Sequence, residues 1–184
     1  MVGTVILRKQ AQFTAIDVEF ADKHFHRNLT INDDFRCSMA SLSYSGLVLA
    51  SKGDYDQDKY DEDDDVSMDD AGKVDKRGSY LYFKPLNEWR RDLKDWNFKM
   101  NYGESILCIA QGTGWVAAFT SAGYIRIFSN DGVQKFVLHQ SSQVVTMTGY
   151  ENMLVIIYHG GLPVYDSQQL KFKVIDCGIS NSNQ

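Results

Sequence analysis

The chain has 184 residues, of which 43% are hydrophobic, and a formal net charge of −5. That size and apolar content suit one domain with a genuine core, and ten Tyr, ten Phe and three Trp against two Pro favour pleated sheet over helix. Three cysteines, Cys37, Cys108 and Cys177, form no paired spacing and exclude a disulfide scaffold; no apolar run approaches the ~20 residues of a membrane-spanning helix, and the N-terminus lacks a secretory signal, so no membrane role is expected.

In chain order, residues 1–12 read as an N-terminal extension, 13–179 as one folded unit and 180–184 as a polar tail. Residues 13–20 alternate as a strand. Residues 37–42 and 46–51 read as the first two strands of a sheet and 80–83 as its third, with Trp89 and Trp96 flanking the outer edge. Between the second and third strands lies the segment 54–77, where Asp54 to Asp75 carries eleven acids against two bases, leaving the rest of the chain mildly basic. Low hydrophobicity and like charges cannot offset ordering entropy, so this insertion is expected to be a disordered loop. Placed in a hairpin, it adds little closure entropy.

A repeat follows. Laying Ile106 onto Val144 aligns two units of short apolar runs separated by glycine turns. The first has runs at 106–110, 115–120 and 124–128, then 133–138 after the Asp131-Gly132 pair, a strong hairpin signal. The second has runs at 144–148, 153–158, 162–165 and 170–175. Four short strands per ~40 residues is the size of a propeller blade. The expected fold is an all-β propeller, an incomplete ring of about three to four blades with an acidic hairpin insertion. The three cysteines are expected as buried, reduced thiols of a nuclear or cytosolic protein.

The stretch 112–121, with Ile125-Arg126-Ile127-Phe128, 132–135, 144–147 and 157–159, resembles one family, as do 16–20, 39–43 and 49–51 upstream. It is similar to the second, six-bladed propeller of the chromosome transmission fidelity and acidic nucleoplasmic DNA-binding replication adaptors, which carry WD repeats and an HMG box. The resemblance implies a nuclear scaffold without enzymatic activity or cofactor. It implies a homotrimer linking the replicative helicase to the priming DNA polymerase, with a role in sister chromatid cohesion and chromatin or DNA as a further contact. The family's helical bundle, WD repeats and HMG box have no counterpart here, so no peptide-binding residue carries over.

Within the acidic tract, Asp54, Asp56, Asp58, Glu62 and Asp65 match a calcium-loop spacing, but Lys59 stands where the loop needs glycine. A solvated loop that contacts a basic partner through Asp61, Glu62, Asp63, Asp64 and Asp65 fits better. Ser67, followed by Met68-Asp69-Asp70, suits an acid-directed kinase. Arg90, Arg91, Lys94 and Lys99 interleave with Trp89, Trp96 and Phe98, which supplies the alternative: a generic propeller binding protein or nucleic acid through a basic-aromatic surface. His159-Gly160-Gly161 has no matching nucleophile elbow and reads as a turn, as does Gly112-Thr113-Gly114, which lacks a phosphate-loop lysine. His24 and His26 have no third ligand in sight and read as strand-edge residues. No catalytic, cofactor or metal residue is expected.

Overall fold

The longest apolar runs become the strands buried on both faces. In the computed structural model, residues 2–9, 14–53, 78–86, 93–165 and 167–178 are described. Among them are fourteen strands and no helix. They are β1 (Gly3–Lys9), β2 (Thr14–Phe20), β3 (Leu29–Asn32), β4 (Met39–Leu42), β5 (Gly46–Ala50), β6 (Tyr80–Pro85) and β7 (Trp96–Lys99). The remainder are β8 (Ile106–Gln111), β9 (Trp115–Thr120), β10 (Tyr124–Ser129), β11 (Gln134–His139), β12 (Val144–Tyr150), β13 (Met153–His159) and β14 (Leu170–Asp176). Each sheet is an antiparallel meander: β1-β2-β3, β4-β5-β6-β7, β8-β9-β10-β11 and β12-β13-β14. The fold is a partial β-propeller with two complete four-stranded blades between two three-stranded ones.

Blades stack face to face, which explains the burial pattern. In β9 every residue is buried. Trp115, Ala117 and Phe119 pack with Met147, Leu154 and Ile156 of the last blade. Val116 and Ala118 pack with Val48, Leu81 and Phe83 of the blade before. The period-2 alternation of a strand thus divides one apolar run between two interfaces. A third core joins Ile16, Val18 and Phe20 to Leu47 and Leu49. After β10 the chain turns through Asp131-Gly132, where Gly132 has φ +87°. A side chain there would also run into Trp96.

Two expectations are corrected. Residues 162–165, expected as the third strand of the last blade, form only an isolated Val164–Ser167 bridge. Pro163 has no N–H to give a ladder, Tyr165 sits at φ +48°, and β14 instead pairs directly with β13, Leu170 opposite His159. The segment 1–12, expected as an extension, contains β1, which pairs with β2 along its whole length. Its short, half-buried residues gave no alternation strong enough to mark a strand. The acidic segment 54–77 and the tail 180–184 lie outside the described residues.

Candidate interaction surfaces

The residues singled out for binding, Asp61, Glu62, Asp63, Asp64, Asp65, Ser67, Arg90 and Arg91, all lie outside the described residues. So do Trp89 and the calcium-type positions Asp54, Asp56, Asp58 and Lys59. The structure does place the other basic and aromatic residues of the nucleic-acid alternative. Trp96 stacks on Phe83 with ring centroids 5.7 Å apart and lies 5.7 Å from Phe128. Its indole Nε1 donates to the Asn130 carbonyl at 3.0 Å. Phe98 lies 4.9 Å from Phe128, and the Lys99 ammonium sits over the Tyr80 ring. Trp96 thus packs on its own blade and on the next, and Phe98 on the next, so both aromatics contribute to the core between the blades. Lys94 is exposed.

His24 is exposed and His26 half-buried in the turn between β2 and β3, rather than on a strand edge. His26 packs 4.8 Å from Phe20. Gly112-Thr113-Gly114 is the β8–β9 turn, and His159 ends β13 with Gly160 beyond it. All three cysteines are free thiols. Burial, reinforced by Asp33, raises the Cys37 thiol well above its ordinary range, burial pushes Cys177 up to about 11, and burial raises half-buried Cys108 as well. These thiols are poor nucleophiles near neutral pH.

Polar links tie the second blade to the third and the third to the fourth along one rim. Gln111 accepts from the Ser43 hydroxyl at 3.0 Å and donates to Ser41 at 3.1 Å, joining β8 to the preceding blade. The Glu151 carbonyl takes the Trp115 indole N–H at 2.8 Å and the Thr113 amide at 2.8 Å. On the opposite rim, the Ser79 hydroxyl accepts the Ile106 amide at 2.9 Å. Arg126 and Glu104 form a buried bidentate pair, at 2.8 Å through Nε and 2.7 Å through Nη2. Burial alone would raise Glu104; the guanidinium outweighs it and holds the carboxyl below its usual value. Arg126 is raised in turn by Glu104. Such a pair acts within the protein, not on a ligand. A charged residue inside the apolar run Ile125-Arg126-Ile127 was its sequence signal.

The surface that sequence reasoning missed is the outward face of the last blade. Leu154 and Ile156 point toward the preceding blade and are fully buried. Met153, Val155 and Ile157 point the other way, opposite Asp176, Val174 and Phe172 on β14. Phe172 is 73% exposed, and Leu170, Met153 and Val174 are also exposed. An exposed apolar sheet face of this kind is a candidate docking surface. The alternation of Leu170, Phe172 and Val174 with Lys171 and Lys173 announces it, although its direction depends on register.

Comparison with known proteins agrees with this architecture. The crystal structure of BBS1N in complex with ARL6DN aligns over 94% of this chain and 50% of that one, at a TM-score of 0.50 and 10% identity. By sequence, the chain is 30% identical over 177 residues to the mouse WD repeat and HMG-box DNA-binding protein 1 and 29% identical to that of Xenopus laevis. It is 24% identical over 180 residues to Minichromosome loss protein 1 of Schizosaccharomyces pombe. Each match takes in 96% of this chain but only 14% of the vertebrate relatives and 19% of the yeast one. A family model, that of the middle region of the minichromosome loss protein Mcl1, matches residues 1–184. The chain therefore belongs to the Mcl1 middle-region family.

Proposed function

We propose that this chain is the propeller part of a nuclear, non-enzymatic adaptor of the DNA replication machinery. It corresponds to the second, six-bladed propeller of the family, assembles as a homotrimer in the complete protein and helps to join the replicative helicase to the priming DNA polymerase, with a consequence for chromosome cohesion. The observation that carries this reading is the family match along the whole chain. The names of the relatives, a WD repeat and HMG-box DNA-binding protein and a minichromosome loss protein, support a chromosomal setting. A fold whose buried polar groups are used to fasten one blade to the next also suits a rigid platform better than a catalyst.

The test is to purify the polypeptide carrying residues 1–184 from replicating cells. Its mass is then measured by light scattering and its bound proteins by mass spectrometry. A trimer that brings down helicase and priming-polymerase subunits is expected. A strict monomer that brings down neither would sink the reading.

A further inference from the structure

Two serines in the chain are followed directly by glutamine, Ser142-Gln143 and Ser167-Gln168. As sequence the two dipeptides are equivalent, but the fold treats them differently. Ser142 lies in the short crossover from β11 to β12, which is pinned at both ends. Before it, buried Gln140 donates its amide to the Gly123 carbonyl at 2.8 Å and accepts from the Lys173 ammonium at 3.1 Å. After it, the Gln143 carbonyl takes the His159 amide at 3.0 Å. Ser142 is half-buried between these anchors.

Ser167 stands in the loop between β13 and β14. The ladder of those strands closes at His159 opposite Leu170, and beside it the Gly160 amide donates to the Gln169 carbonyl at 2.7 Å. From Gly161 to Gln169 every described residue is exposed, with Leu162 at 84% and Tyr165 at 99%. Among the described residues, the tip is shaped by the Val164–Ser167 pair, two backbone bonds of 3.0 Å each. Tyr165 sits at φ +48° inside that turn, a strained region for a bulky residue, so straightening the segment releases strain. Hydroxyls of other turns are used within the fold: Ser43 donates to Gln111, Ser121 takes the Ser105 amide, and Ser129 donates to Asp131. The Ser167 hydroxyl makes no hydrogen bond among the described residues.

We propose that Ser167 is a phosphorylation site for a serine kinase that selects its target by the glutamine immediately after it. The γ-phosphoryl group of a nucleoside triphosphate passes to Ser167 Oγ, the diphosphate leaves, and the hydroxyl proton goes to the catalytic base of the kinase. An exposed loop can be drawn out into the kinase's cleft, whereas the Ser142 crossover yields only if two blades part. Lys171, whose stem packs against Gly160 at the foot of the loop, offers the new phosphate a counter-charge. The proposal rests on the fold of this loop, not on the replication role.

The test incubates the polypeptide carrying residues 1–184 with magnesium, ATP and a purified glutamine-directed serine kinase, and locates phosphate by tandem mass spectrometry. Synthetic peptides of residues 136–148 and 161–173 serve as unfolded counterparts. The preference for Ser167 over Ser142 is expected to be at least ~10-fold greater in the folded protein than between the peptides, because the loop opens locally and the crossover does not. Gln168→Glu should lower labelling of Ser167 by at least ~10-fold and leave the thermal midpoint unchanged, since the side chain is exposed. Absence of phosphate on Ser167 overturns the proposal, as does labelling that survives Gln168→Glu. A preference that is the same in protein and peptides overturns it too, because the fold then selects nothing.

Discussion

Trp115 and Glu151 hold two blades together by a single oriented contact. The indole N–H donates to the backbone carbonyl of Glu151 at 2.8 Å, while the ring is fully buried against the last blade. Glu151 itself sits at φ +49°, which aims that carbonyl back toward the preceding blade. Trp115→Phe should keep most of the packing and lose the bond, at a cost of about 1–3 kcal/mol. Urea unfolding followed by fluorescence reads this. A loss below the error of the measurement would mean that the carbonyl is satisfied by the Thr113 amide alone.

Gly149 faces the backbone carbonyl of Gln111 across the contact between β12 and β8, and an added Cβ would overlap it. Both partners are inner strands, so neither yields without prying blades apart. Gly149→Ala is expected to cost about 1–3 kcal/mol from overpacking, seen as a lower midpoint in thermal unfolding. Gly103→Ala meets no neighbouring atom; its backbone at φ +79° makes it a control for strain alone.

The Glu104–Arg126 pair should give the protein an acid-sensitive element. Because the folded-state carboxyl titrates below its ordinary value, its contribution is complete above the ordinary carboxylate range and drains away as pH falls through the lowered value. Glu104→Gln leaves a buried guanidinium without its counter-charge and should cost about 3–5 kcal/mol near neutral pH. Denaturant unfolding across the acid range should show the wild type losing its advantage over this variant as pH falls. A constant difference at every pH would contradict the assignment.

Thiol reactivity offers a check on burial. With Cys37 and Cys177 buried and all three thiols raised, the native chain should react slowly with a disulfide reagent at about pH 8. Cys108, only half-buried, should react first. Unfolding in urea should expose all three. Fast labelling of Cys37 in the folded chain would contradict its packing beside Leu47 and Leu49.

The outward face of the last blade should bind a hydrophobic dye. Phe172→Glu is expected to reduce that fluorescence while changing stability by no more than about 0.5 kcal/mol, since the ring is 73% exposed. A large loss of stability would show that the ring is already covered.

Much of this was legible beforehand, for a local reason. Strands such as β5, β9 and β13 are apolar runs bounded by glycine turns, and their limits follow from nearest-neighbour chemistry. β1 and β3 escaped notice because they are short or half-buried and carry mixed faces. Residues 162–165 were mistaken for a strand because Leu162, Val164 and Tyr165 are apolar, although Pro163 and the backbone at Tyr165 deny them a ladder. The candidate site was less legible. The conspicuous charges lie outside the described residues, and the apolar face came from a strand whose alternation shows two faces without saying which one is covered.

By itself, the order of residues determined that this chain makes short antiparallel strands in blade-sized groups, because alternation and turn chemistry act over a few residues. Only the tertiary structure decided that β1 pairs with β2, that β14 pairs directly with β13, and that Phe172 faces outward. Strand position in a blade is set by direction relative to strands far away in sequence, and no local pattern encodes that.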